Sequence, residues 1–168
     1  MTHPASQRAD RKGLYTPEER RKRDATIWTT VQGVLAPIQF IVCIISAILV
    51  IRTLTTQTGY PLATASILLK TALLYTIMIT GAIWEKVVFG QYLFAPAFFW
   101  EDVVSFAVIA LHTAYLIGLW GGYLSDQSLM MLALVAYAVY IINAVQFVLK
   151  LRAARLDAAL STEGAHLA

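Results

Sequence analysis

The chain has 168 residues, 58% of them apolar and only 14% charged, with a formal net charge of +3 and a mean hydropathy of +0.65. That balance excludes an ordinary soluble globular domain and fits an integral membrane protein. The single cysteine, Cys43, lies inside an apolar stretch, which excludes an intrachain disulfide and gives no sign of redox compartment.

Residues 1–25 are polar and carry seven basic side chains: Arg8, Arg11, Lys12, Arg20, Arg21, Lys22 and Arg23. No short apolar run with a small-residue cleavage site is present, so no cleavable signal peptide is expected. Thr16-Pro17-Glu18-Glu19 reads as a helix start, with Thr as N-cap, Pro at the first helical position and acids in the first turn. A short interfacial helix follows, for which a plain topogenic tail is the simplest role.

The first span is expected at about residues 27–51, longer than the ~20 residues that a bilayer core requires. Pro37 should kink it. Gln32 and Gln39 share one face, which should point into a bundle. Arg52 to Pro61 reads as a polar turn. The second span, 62–89, contains Lys70, Glu85 and Lys86. If the helix starts at Leu62, Lys70 lies ~12 Å along the axis. Snorkelling to the interface and an inward function are then equal readings.

The third span, 103–122, has His112 at its middle. Glu101 and His112 are eleven residues apart. With Ser105 and Val108 they form one stripe whose ends are ~16 Å apart. The fourth span, 128–149, presents Tyr140, Asn143 and Gln146 at intervals of three as one polar face. A basic tail with Lys150, Arg152 and Arg155 follows, frayed from about residue 157. The division is a polar basic segment (1–25), a membrane domain (26–150) and a tail (151–168). The expected fold is an all-α integral membrane four-helix bundle.

Lys/Arg placement sets orientation. The N-terminal segment, the central connection with Lys86, and the C-terminal tail share one side, and the two opposite loops carry only Arg52. Both termini and the Trp84–Asp102 stretch are therefore expected at the cytoplasmic face. Gln32, Glu85, Lys86, Glu101, Asp102, Asn143 and Gln146 all fall in that half, which suggests a pocket open to the cytoplasm and sideways to lipid. If Glu85, Glu101 and Asp102 converge, one can hold a proton while another acts as a base. Solvated cap charges are the competing reading. His112 at mid-depth should face the bundle interior, either bonded to a neighbouring helix or as an axial ligand to a metal carried by a substrate. The chain has no HExxH, no paired Cys motif, no glycine-rich phosphate loop and no nucleic-acid motif, so no metal of its own and no nucleic acid are expected.

The blocks YTPEERRKRDATIWTTVQGVLAPIQF (15–40), ITGAIWEKVVFGQYLFAPAFFWEDV (79–103), LHTAYL (111–116) and INAVQFVLKLRAARL (142–156) resemble the bacteriochlorophyllide vinyl hydratases. The resemblance implies addition of water across the C3-vinyl group of chlorophyllide a or 3-vinyl-bacteriochlorophyllide a to give a 1-hydroxyethyl group. It implies a phototroph's inner, intracytoplasmic photosynthetic membrane, the lipid bilayer and other pigment-biosynthesis enzymes as surroundings, and no cofactor, because hydration changes no overall oxidation level.

The residue roles come from the chain itself. A flat apolar macrocycle suits a pocket walled by Trp84, Phe98, Phe99 and Trp100. Its magnesium suits His112, and its propionate suits Lys86 or the basic rim. Glu85 or Glu101 is expected as the acid that protonates the vinyl group. The other, or Asp102, is expected as the base that activates water. Asn143 and Gln146 are expected to hold the water or a ring carbonyl. The alternative is a non-catalytic chlorophyllide-binding or scaffold subunit, which needs the pocket and His112 but not the carboxylates.

Overall fold

The structure is a computed structural model that describes residues 13–166, with side chains as far as residue 156. Arg8, Arg11, Lys12 and the last two residues of the expected tail lie outside the described residues. The described residues form five helices and no strand: α1 (Pro17–Ala25), α2 (Ile27–Thr56), α3 (Tyr60–Phe89), α4 (Phe99–Gly121) and α5 (Asp126–His166). The last four are long and apolar enough to cross a membrane.

The expected start of α1 is realised in full. Glu19 N–H donates to Thr16 Oγ1 at 3.2 Å and Thr16 N–H donates to Glu19 Oε2 at 2.7 Å. This reciprocal pair satisfies two amides that a helix start leaves orphaned. Thr26 ends α1 and caps α2, accepting from Trp28 N–H.

Buried positions on α2 are Gln39, Cys43, Ser46, Val50 and Thr53, a 4-3-4-3 spacing that lies on one face. Ile41, Ile44, Ile45 and Ile48 on the same helix are exposed. The other spans likewise bury polar side chains such as Lys70, His112 and Asn143, beside apolar ones such as Ile67, Leu74 and Leu129, and leave many large aliphatic residues outward. Lipid is as apolar as leucine, so the interfaces are held by close packing and interhelical hydrogen bonds. Gln32 Nε2 donates to Thr80 Oγ1 at 2.7 Å and joins α2 to α3. Ser46 Oγ lies 2.7 Å from Ser66 Oγ and 2.6 Å from Tyr137 OH, tying α2, α3 and α5. Tyr75 OH meets Thr113 Oγ1 at 2.7 Å between α3 and α4. The hairpins α2–α3 and α4–α5 close into a four-helix bundle through α2 against α5 and α3 against α4, with α1 packed on α3.

Three boundaries differ from expectation. Helix α2 runs on to Thr56, taking in Arg52, and Gln57 caps it: its N–H donates to Thr53 O at 2.9 Å and its Nε2 to Leu54 O at 2.7 Å, satisfying carbonyls that the helix end leaves free. Gln57 and Gly59, both in the left-handed region, then turn the chain. Helix α4 begins at Phe99, four residues early, which puts Glu101 and Asp102 in its first turn, where the helix dipole favours acids. Helix α5 continues through the expected tail to His166.

Candidate functional site

The connection between α3 and α4 shrinks to Gly90–Phe98. Gly90, at φ +85°, ends α3, and its N–H donates to Lys86 O at 3.0 Å. Phe94 also takes a positive φ, +58°, which costs a residue other than glycine about 1–3 kcal/mol. Two carboxylates hold it there. Phe94 N–H donates to Asp102 Oδ2 at 2.6 Å and Ala95 N–H donates to Glu85 Oε2 at 3.1 Å. Two successive amides in such a turn form an anion-binding concavity, filled here by one acid from each flanking helix. The Glu85 and Asp102 carboxyl groups thus converge on two consecutive amides, and two acids crowded at one turn favour holding one proton between them. Both are buried.

Glu101, one residue away from Asp102, has a different neighbour: Lys150 Nζ on α5. Its main chain is fixed as well. Ser105 Oγ and Asn143 Nδ2 each donate to Glu101 O at 2.9 Å, and Ser105 Oγ is 3.1 Å from Asn143 Oδ1. Both polar ends of Asn143 are thus spent on positioning Glu101. Gln146 Oε1, one turn along α5, is buried and has no partner.

Glu101, Gln146 and Lys150 line an open cleft of about 470 Å³ together with Leu14, Leu149, Ala153 and Ala154. That volume is within the ~300–1,000 Å³ usual for ligand sites. Lys150 Nζ lies 5.3 Å from the centre of the Phe98 ring, so the cleft adjoins an aromatic cluster. Tyr15 stacks on Phe89 at 5.8 Å, Trp84 meets Phe89 and Phe98 edge-on at 5.7 and 5.6 Å, and Phe98 stacks on Phe147 at 5.9 Å. Trp84 Nε1 donates to Thr29 Oγ1 at 2.9 Å. Burial pushes the Tyr15 hydroxyl above its ordinary value, so it stays neutral in this wall.

The remaining predicted residues lie elsewhere. Phe99 and Trp100 are exposed on the outer side of α4. Lys86 is exposed, donates to Gly90 O at 2.7 Å and sits 5.3 Å from the Tyr92 ring. His112 is buried in mid-span, with Nδ1 2.8 Å from Val108 O and its ring 5.9 Å from Tyr137. Lys70 is fully buried, its Nζ 3.5 Å from the Tyr140 ring centre, so it points inward and does not snorkel.

The sequence reading missed Lys150, Tyr15, Phe89 and Phe147. Lys150 had a usable signal, because it extends the Tyr140–Asn143–Gln146 stripe by one more turn. The aromatic trio had none, since its members come from three separate segments. Among the described residues no group of three or more His, Cys, Asp or Glu side chains could hold a metal ion.

A family model described as 2-vinyl bacteriochlorophyllide hydratase matches residues 15–153. A protein of that name from Rhodobacter capsulatus is 65% identical over 158 residues, covering 94% of this chain and 92% of its own length. Its namesake from Cereibacter sphaeroides is 66% identical over 155 residues, covering 92% of this chain and 96% of its own. No solved structure matches the chain.

Proposed function

The chain belongs to the 2-vinyl bacteriochlorophyllide hydratase family, hydro-lyases of bacteriochlorophyll synthesis, and on that premise we propose that the cleft beside Glu101 receives the vinyl-bearing edge of the pigment. In the reaction, a proton adds to the terminal vinyl carbon. The cation forms at the inner carbon, where the macrocycle stabilises it. The oxygen of water bonds there, and loss of one proton from that oxygen leaves the 1-hydroxyethyl group, so the proton count closes.

The Glu85–Asp102 pair, which shares a proton, is the acid. Glu101, paired with Lys150, takes the proton from water, and Gln146 Oε1 accepts from the same water and orients it. Asn143 positions Glu101. Trp84 and Phe98, with Tyr15, Phe89 and Phe147, supply the flat apolar wall. Phe99 and Trp100 face the lipid from which the substrate enters. The propionate pairs with the basic rim that includes Lys86. His112 is ~16 Å from Glu101 along α4, farther than the centre of one macrocycle lies from its rim. One substrate therefore does not put its magnesium on His112 and its vinyl group on Glu101.

The substrates are chlorophyllide a and 3-vinyl-bacteriochlorophyllide a, taken from the photosynthetic inner membrane of a bacterium. The cleft opens to the cytoplasm, a reading supported by the excess of basic residues at that end of the chain's helices.

The carrying observation is the convergence of Glu101, Gln146 and Lys150 on one cleft, next to the turn whose amides Glu85 and Asp102 hold. The test incubates membranes bearing Glu101→Gln or Glu85→Gln with chlorophyllide a and follows the product heavier by one water. Each variant is expected to lose ~10²–10⁴-fold in rate, the usual worth of a general acid or base. Wild-type rates in both would overturn the assignment.

A further inference from the structure

Three buried polar atoms in mid-span, Lys70 Nζ, His112 Nε2 and Gln39 Oε1, have no hydrogen-bond partner among the described residues. Their residues are 0%, 1% and 2% exposed and come from three helices. The Ser46–Ser66 and Gln32–Thr80 bonds set the register of α2 against α3 and bring Lys70 level with residue 42, within one turn of Gln39. Tyr137 and Tyr140, one turn apart on α5, meet the His112 ring at 5.9 Å and Lys70 Nζ at 3.5 Å, which brings the three side chains to one layer of the bundle.

The energetics of that layer call for a further partner. A lysine at mid-bilayer is costly to keep. The contact with Tyr140 offsets part of that cost and leaves its N–H groups unsatisfied. Orphaned buried polar groups add to the cost.

Donor and acceptor roles define what fits. His112 Nδ1 faces a carbonyl oxygen, which only accepts, so Nδ1 carries the hydrogen. In the neutral ring Nε2 is then a lone pair. Gln39 Oε1 is also an acceptor, and the Lys70 amine is a donor. The complement must accept once and donate twice. A carboxylate fails, since it would meet two lone pairs. A metal cation fails, since it would meet the lysine.

We propose that Lys70, His112 and Gln39 form an intramembrane water site, in which one water accepts from Lys70 and donates to His112 Nε2 and Gln39 Oε1. Three hydrogen bonds to otherwise unsatisfied groups are the usual complement of a buried water. The site is separate from the Glu101 cleft and does not rest on the hydration reading. It gives Lys70 and His112 a reason to face inward that needs no pigment.

Replacing His3 and His166 with Ala leaves His112 the sole histidine. With 15N-histidine- and 15N-isoleucine-labelled full-length protein in bilayers, water-edited solid-state NMR reads magnetisation transfer from water to Nε2 and to the isoleucine amides. Without pigment, transfer is expected to be several-fold faster than to the lipid-facing amides of Ile44 and Ile45. It should slow to their level in Lys70→Met. Transfer to His112 as slow as to Ile44 and Ile45 in the parent would overturn the proposal, and so would fast transfer that persists in Lys70→Met.

Discussion

The two polar regions of this bundle are built on opposite principles. At the α3–α4 end, Glu85, Asp102, Glu101 and Asn143 each have a protein partner, and the carboxylates hold a turn that would otherwise not form. In mid-span, Lys70 Nζ, His112 Nε2 and Gln39 Oε1 are just as buried and have no hydrogen-bond partner among the described residues. Paired charge at a membrane helix end is cheap to keep and is rigid, which suits proton transfer at fixed distances. Unpaired polarity in the middle is costly, and it marks a place where something small belongs. The Glu101 cleft lies between these extremes, since its acid is paired while Gln146 Oε1 waits for a partner.

Substitutions should separate the two regions in a definite order. The largest effect is expected at the carboxylates. Asp102→Asn should lower the hydration rate by ~10²–10⁴-fold, whereas Lys70→Met should leave it within a few-fold, both read by mass spectrometry of the product. A comparable loss in Lys70→Met would join the two regions into one site.

Stability should divide them next. Asp102→Ala leaves the Phe94 amide unpaired and should cost about 1–3 kcal/mol, seen as earlier thermal unfolding in detergent. Replacing a buried charge with an apolar side chain of similar size is often neutral or stabilising, so Lys70→Met should unfold no earlier than wild type. Tyr15→Ala removes the stack on Phe89, worth about 0.5–1.5 kcal/mol, and should raise KM for pigment more than it lowers kcat. The smallest effect belongs to Trp100→Phe on the outer surface, expected within about 0.5 kcal/mol of wild type. A large loss of activity there would show that the pigment binds the outer face of α4 and not the cleft.

Much of the fold was legible because the bilayer imposes a length. Four apolar runs, the Thr16 cap and the glycine and proline breakers between spans needed no tertiary information. Helix ends were harder. Gln57 caps α2 past Arg52, and the first-turn acids favour the start of α4 at Phe99.

The site was legible in part. Three acids near one loop could be read from sequence, but not which two would share the loop amides and which would meet Lys150. Those pairings follow from helix rotation, and neighbouring residues on a helix point about 100° apart. The same rotation buries Phe98 while Phe99 and Trp100 face outward. Lys70 was undecided because Thr64, Ser66, Thr71, Thr76 and Thr80 are spread around α3 and mark no single face.

The central claim is that Glu101 activates the water that enters the product. Membranes bearing wild-type or Glu101→Gln protein, supplied with chlorophyllide a in 18O-labelled water, test it most directly. The account predicts one 18O atom in each wild-type product molecule, and incorporation at least ~10²-fold slower in the variant despite retained pigment binding. Incorporation at equal rates in the two membranes would contradict it.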